Sequence, residues 1–178
     1  NYLKQIEESE LSDAFWAVTL PAALETASTV SPFFQTFLAA QVTTNAWGFV
    51  SKGITVAAMH QQSGDIHHIV PKDYLQKNGY PDRGDYNQVA NFALTETSIN
   101  ISISNKPPMQ YMAAMATQIE SGLLTLGEIT DVTDLAANLA ENAIPANLVE
   151  VTAGSYKEFL VQRRKLMAAA IRDYYQAL

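Results

Sequence analysis

Two of the three histidines in this chain are adjacent, His67 and His68, and they are the residues best suited to chemistry. In an extended strand, neighbouring side chains point to opposite faces. At a twisting strand end the pair can divide the work, one imidazole on a metal ion and the other facing an attacking water. With a reference pKa of about 6.5, imidazole suits proton abstraction from water near neutral pH. Downstream lie Asn91 and Asn100, nine positions apart. An asparagine carbonyl oxygen is a hard, neutral ligand suited to Mg²⁺ or Mn²⁺, and asparagine also ties loops to backbone. Asp65 can orient a histidine or cap the strand entry. Lys72 and Lys106 flank the segment and could contact a phosphate, or simply be solvated. Each residue alone has a structural reading; together they point to a metal site with a general base.

The elements that must position these groups follow from local pattern. Asp65–Pro71 is β-leaning, bounded by Ser63-Gly64 and Pro71, and is expected to be a strand. Lys72–Tyr86 holds Asn78-Gly79, Pro81 and Arg83-Gly84 and predicts a turn-rich loop after a helical start. Val89–Thr95 predicts a second strand and Thr97–Asn105 a short helix. Before this lie helices: Leu11, Phe15, Val18 and Ala22 at helical spacing, ended near Pro21; a helix opened by Ser31-Pro32 and running to Gly48; and a short one over Thr55–Gln61. After it come Pro108–Ser121, with a Met109, Met112, Met115 core stripe, then Asp131–Asn142 and Ser155–Gln176. His60 is expected at the surface, and Tyr74, Tyr80 and Tyr86 are expected to pack over the hairpin.

The order strand, loop, strand, helix and the string Asp65-Ile66-His67-His68-Ile69-Val70-Pro71 resemble the His-Asn-His (HNH, ββα-metal) nuclease signature. The spacing is similar to that of the HNH domain of RNA-guided CRISPR nucleases. More closely, Asp65–Tyr74 and Tyr86–Tyr111 resemble the C-terminal region of the bacterial DUF262/DUF1524 family, which includes modification-dependent restriction enzymes of the GmrSD type. That resemblance implies a general base at His68, metal ligands at His67 and Asn100, and a structural middle Asn at Asn91. It further implies DNA as substrate, and an N-terminal DUF262 domain preceding this chain. Many HNH enzymes have Asp where this chain has His67. An imidazole there admits Ni²⁺ or Zn²⁺ beside Mg²⁺ or Mn²⁺.

Composition sets the outer bounds. The 178 residues are 48% hydrophobic, enough for a core, and lack the run of roughly 18 apolar residues a membrane span needs. There is no cysteine, which excludes disulfides and thiolate sites and fits a cytoplasmic setting. The polar, acidic start shows no signal peptide, and the opening Asn suggests a fragment of a longer protein. A net charge of −7 and a pI near 4.8 run against nucleic-acid binding, which needs basic surface. Residues 150–178 reverse the balance, with five Lys/Arg against three acids, and Arg163-Arg164-Lys165 is the candidate there for non-specific DNA contact.

The expected fold is α+β: a mostly helical domain around a small ββα-metal hairpin. Residues 1–62 form an N-terminal helical scaffold, 63–107 the HNH-like motif and 108–178 the C-terminal helices, together one domain. The expected activity is metal-dependent cleavage of DNA phosphodiesters, in the setting of bacterial defence. Three rivals stand beside it: a silent DNA-binding or regulatory module, a hydrolase of small phosphoesters, and an all-helical interaction domain that keeps His67 far from Asn100.

Overall fold

A computed structural model describes residues 2–62 and 64–178. The chain is predominantly helical with one small two-stranded antiparallel sheet, an α+β architecture. Helix α1 (Tyr2–Glu10) leads into a π-helical stretch, Phe15–Thr19, and the short α2 (Leu20–Ala23). Sequence spacing predicts one regular helix here. Pro21 explains the difference: it has no N–H for the fourth residue back, and its ring crowds that residue's carbonyl. The preceding turn widens, and Leu20 N–H donates to Phe15 O, five residues back.

Helix α3 (Pro32–Thr43) begins with Pro at its first position, although the Ser31 hydroxyl makes no capping bond. It stops at Thr43 rather than Gly48, because Asn45 takes a left-handed backbone with φ 53°. Helix α4 (Val56–Gln62) follows and hands the chain to β1 (Asp65–His68). The connection to β2 (Phe92–Thr95) carries α5 (Lys72–Lys77), α6 (Arg83–Tyr86) and a 3₁₀ turn at Val89–Asn91. In the register, Asp65 faces Thr95, Ile66 faces Leu94, His67 faces Ala93 and His68 faces Phe92. Helix α7 (Thr97–Ile103) then packs back on β1.

Both strands are shorter than expected at their inner ends. Ile69 and Val70 are fully buried but leave the ladder, their N–H groups donating instead to Asn91 O at 2.8 Å and Asn91 Oδ1 at 2.9 Å.

Helix α8 (Pro108–Ser121) ends at Gly122, whose φ of 72° supplies the left-handed cap. Its Met112 and Met115 are core, whereas Met109 is 57% exposed and is no part of the stripe. Helix α9 (Val132–Glu141) is capped by the Asp131 side chain, which accepts from the N–H groups of Thr133 and Asp134. The last helix, α10 (Tyr156–Gln176), lays Tyr156, Phe159, Met167 and Ile171 into the core that α2, α3 and the Val89–Asn91 turn share. Arg163 occupies the same stripe and Arg164 lies beside it, 1% and 9% exposed. Only Lys165 of the basic cluster is exposed, so no cationic patch forms there. Among the described residues, no helix is long and apolar enough to cross a membrane.

Candidate active site

The hairpin sorts its four β1 side chains by pleat. Asp65 and His67 face α7, while Ile66 and His68 share the other face with Leu94 and Phe92. Asn100, on α7, meets the first pair: its Oδ1 lies 2.7 Å from His67 Nδ1, and its Nδ2 donates to Asp65 Oδ2 at 3.3 Å. These contacts remove the all-helical alternative. An amide oxygen can only accept, so His67 carries its proton on Nδ1. Its Nε2 is buried with no partner, under the Phe49 ring stacked at 5.9 Å and 16°.

Phe49 comes from a segment that sequence spacing does not connect with the site. It joins the sheet edge, Phe49 N–H donating to Leu94 O at 2.8 Å and Thr95 Oγ1 donating to Phe49 O at 2.8 Å. Val50 follows in a left-handed conformation, φ 49°, which strains a β-branched residue. Asn138 on α9 holds it there: Oδ1 accepts from Val50 N–H at 2.8 Å and Nδ2 donates to Gly48 O and Ser51 O. A neutral side chain on α9 therefore fixes the lid over His67.

His68 is half-buried, with Phe92 edge-on at 5.1 Å and the Tyr86 ring at 6.1 Å. Its Nε2 lies 2.8 Å from Asn87 Oδ1, so this ring keeps its proton on Nε2 and leaves a lone pair on Nδ1. Asn87 was not legible as a site residue: a single Asn in a turn-rich loop has no spacing signal. Asn91, four residues on, is held by backbone groups. Fully buried, it accepts from Val70 N–H and donates to Val70 O and Tyr86 O, each at 3.1 Å, fastening both ends of the long connection. Its part is positional, because no atom of it is left for a reacting group. Tyr111 OH adds a bond to Ile69 O at 2.9 Å.

Of the flanking lysines, Lys72 sits exposed with Nζ 5.6 Å from the Tyr86 ring centre, beside His68. Lys106 is exposed and donates to Ser102 O at the end of α7. His60 is exposed, as expected; Tyr74 and Tyr80 bind Ala153 through their hydroxyls rather than lying over the strands.

Comparison with known protein families, curated proteins and solved structures finds no match for this chain. Among the described residues, no three His, Cys, Asp or Glu side chains gather to hold a metal. The donor set at issue is instead His67 Nδ1 and Asn100 Oδ1. Ligands about 2.0–2.2 Å from one ion stand roughly 3 Å apart, so a shared ion requires these two atoms, now hydrogen-bonded at 2.7 Å, to part and turn towards it. A tautomer change opposes it: the proton must leave Nδ1 for Nε2, where no acceptor waits. The residue types are those that can ligate a divalent ion, and the bond between them and the buried Nε2 both oppose tight binding.

Burial lowers the His67 pKa to about 4, with the Asn100 bond opposing. It also lowers that of His68, again opposed by its asparagine, Asn87, while the Lys72 charge adds to the fall. The pH dependence follows from the sign. Below about 6.5 the unfolded chain protonates at this histidine, and the folded chain does so only near 4. Stability from His67 is therefore full above pH 6.5, falls as pH drops towards 4, and is constant below. The loss is on the order of 3 kcal/mol. Urea unfolding in chelator at pH 7 and pH 4.5 should show a larger loss in the wild type than in His67→Gln, which keeps the contribution of His68. Equal pH slopes for the two would contradict it.

Proposed function

We propose that this chain is a metal-dependent DNA endonuclease of the HNH type, the nuclease module of a longer bacterial restriction protein. The observation that carries the reading is the joint placement of His67 on Asn100 and of His68 on Asn87 across one hairpin and its following helix. His68, with Nε2 committed to Asn87, would take the proton from the attacking water on Nδ1. A divalent ion held by His67 and Asn100, Mg²⁺ or Mn²⁺ first and Ni²⁺ or Zn²⁺ next, would stabilise charge on the phosphate and the leaving oxygen. Asp65 orients Asn100 through its Nδ2. Lys72, exposed beside His68, would meet a phosphate flanking the cut, and Lys106 is the second such contact.

One observation favours a silent DNA-binding or regulatory module instead. His67 is 3% exposed and its free nitrogen is sealed under Phe49, in a chain of net charge −7. A basic surface would then come from the DUF262-type domain proposed to precede this region.

Nicking of supercoiled plasmid with Mg²⁺, Mn²⁺ and Ni²⁺, wild type against His68→Ala, separates the two. Metal-dependent nicking that vanishes in the variant supports the endonuclease. Nicking that persists in His68→Ala removes His68 as the base. No nicking by the chain, alone or within its full-length parent, leaves the silent module.

A further inference from the structure

A polar cleft adjoins the segment that carries Asn87. It measures about 460 Å³ and is walled by Glu25, Asp85, Gln88 and, from α10, Lys157 and Arg164. None of His67, His68 and Asn100 lines it, so it is separate from the hairpin site. Its size suits a small ligand.

Arg164 is its unusual member. The residue is 9% exposed, yet among the described residues its guanidinium donates no hydrogen bond to another protein group. Its nearest partner is Glu25, Nη2 to Oε2 at 3.7 Å, beyond hydrogen-bond reach, on a side chain that is 67% exposed. A guanidinium has five N–H donors, and those of Arg164 that no protein group accepts stay open to the cleft. Its neighbour shows the contrast: Arg163 gives its donors to the carbonyls of Val89, Phe92 and Asn142. Lys157, two helical turns before Arg164 on the same face, is exposed at the cleft. Opposite them, Gln88 donates through Nε2 to Gly84 O at 2.6 Å and leaves Oε1 buried with no partner.

We propose that this cleft binds a small phosphate monoester, its oxyanion between Arg164 and Lys157 and a hydroxyl or amine of the ligand donating to Gln88 Oε1. Arginine matches phosphate oxygens with paired N–H groups, and lysine adds a mobile charge. The orphaned acceptor calls for a ligand that donates as well as accepts, which a phosphate ester or a protonated phosphate does and sulfate does not. Glu25, on an exposed side chain, competes for the guanidinium and is displaced when the anion enters.

The test is titration of the whole chain with inorganic phosphate, adenosine and uridine monophosphate, sulfate and acetate at constant ionic strength, followed by calorimetry and thermal shift. Phosphate and the monophosphates should saturate with a Kd on the order of 0.1–1 mM, tighter than sulfate or acetate. Arg164→Gln should weaken binding about tenfold or more, and Lys157→Gln several-fold. Glu25→Gln, on an exposed side chain, should tighten it and stays informative if Arg164→Gln fails to fold. Absence of saturable binding up to about 10 mM overturns the proposal. So does acetate or sulfate binding as well as phosphate, or unchanged affinity in both Lys157→Gln and Glu25→Gln.

Discussion

Arg163→Ala is expected to lower stability by on the order of 4 kcal/mol, and Arg163→Met by roughly 2. The guanidinium is 1% exposed and has no carboxylate partner among the described residues. It reaches Val89 O at 3.3 Å, Phe92 O at 2.6 Å and Asn142 O at 3.2 Å, with Nε unpartnered. Those carbonyls belong to the first residue of the 3₁₀ turn before β2, the first residue of β2 and the residue that closes α9. One cation therefore ties three segments together, although Val89 O also accepts from Phe92 N–H. Desolvation pulls its pKa down to about 9, so it stays charged at neutral pH. Alanine removes a donor from each of these carbonyls and leaves a cavity. Methionine fills the space and removes the buried charge, and that relief offsets part of the loss. Denaturant unfolding of the three proteins decides it. A methionine variant as stable as the wild type would mean that desolving the cation outweighs its carbonyl bonds. Because Val89 and Phe92 bracket Asn91, the nicking proposed above should, in Arg163→Ala, fall with the folded fraction and keep its salt dependence, since a buried guanidinium offers no phosphate contact.

Arg163 also shows where the sequence was readable and where a cruder pattern misled. Three consecutive basic residues look like a solvated face. Yet Arg163 lies four residues after Phe159 and four before Met167, inside the apolar stripe, and Arg164 lies between Leu160 and Ala168 in the same way. Helical spacing, applied to the charges as well as to the apolar residues, would have buried both. The hairpin was legible because its parts are local: an alternating strand, a turn-rich connection and two asparagines at a fixed distance. Its limits were not, since Ile69 and Val70 leave the ladder for the Asn91 side chain, and no propensity reports a side chain that replaces a strand. The lid over His67 was invisible for a different reason. Phe49, Val50 and Asn138 are brought together across the chain, and only the fold sets that contact.

Asn87, equally hidden, gives the sharpest functional expectation. If His68 is the base, His68→Ala should lose on the order of 10²–10⁴ in nicking rate, the usual contribution of a positioned general base. Asn87 holds the proton on Nε2, so that Nδ1 keeps the lone pair, and its bond favours the protonated ring against the pull of burial. Asn87→Ala should leave the tautomer unfixed and lower the rate about tenfold. It should also lower the pKa of His68, moving the acidic limb of the pH–rate profile to lower pH, since the base works in its neutral form. Asn87→Asp should do the reverse, a carboxylate at Nε2 raising the pKa and carrying the limb to higher pH. Opposite displacements in the two variants would identify Asn87 as the positioning partner of the base. A limb that stays fixed in both would mean that the group titrating in catalysis is not His68, and the imidazole at the end of β1 would have to be read as structural.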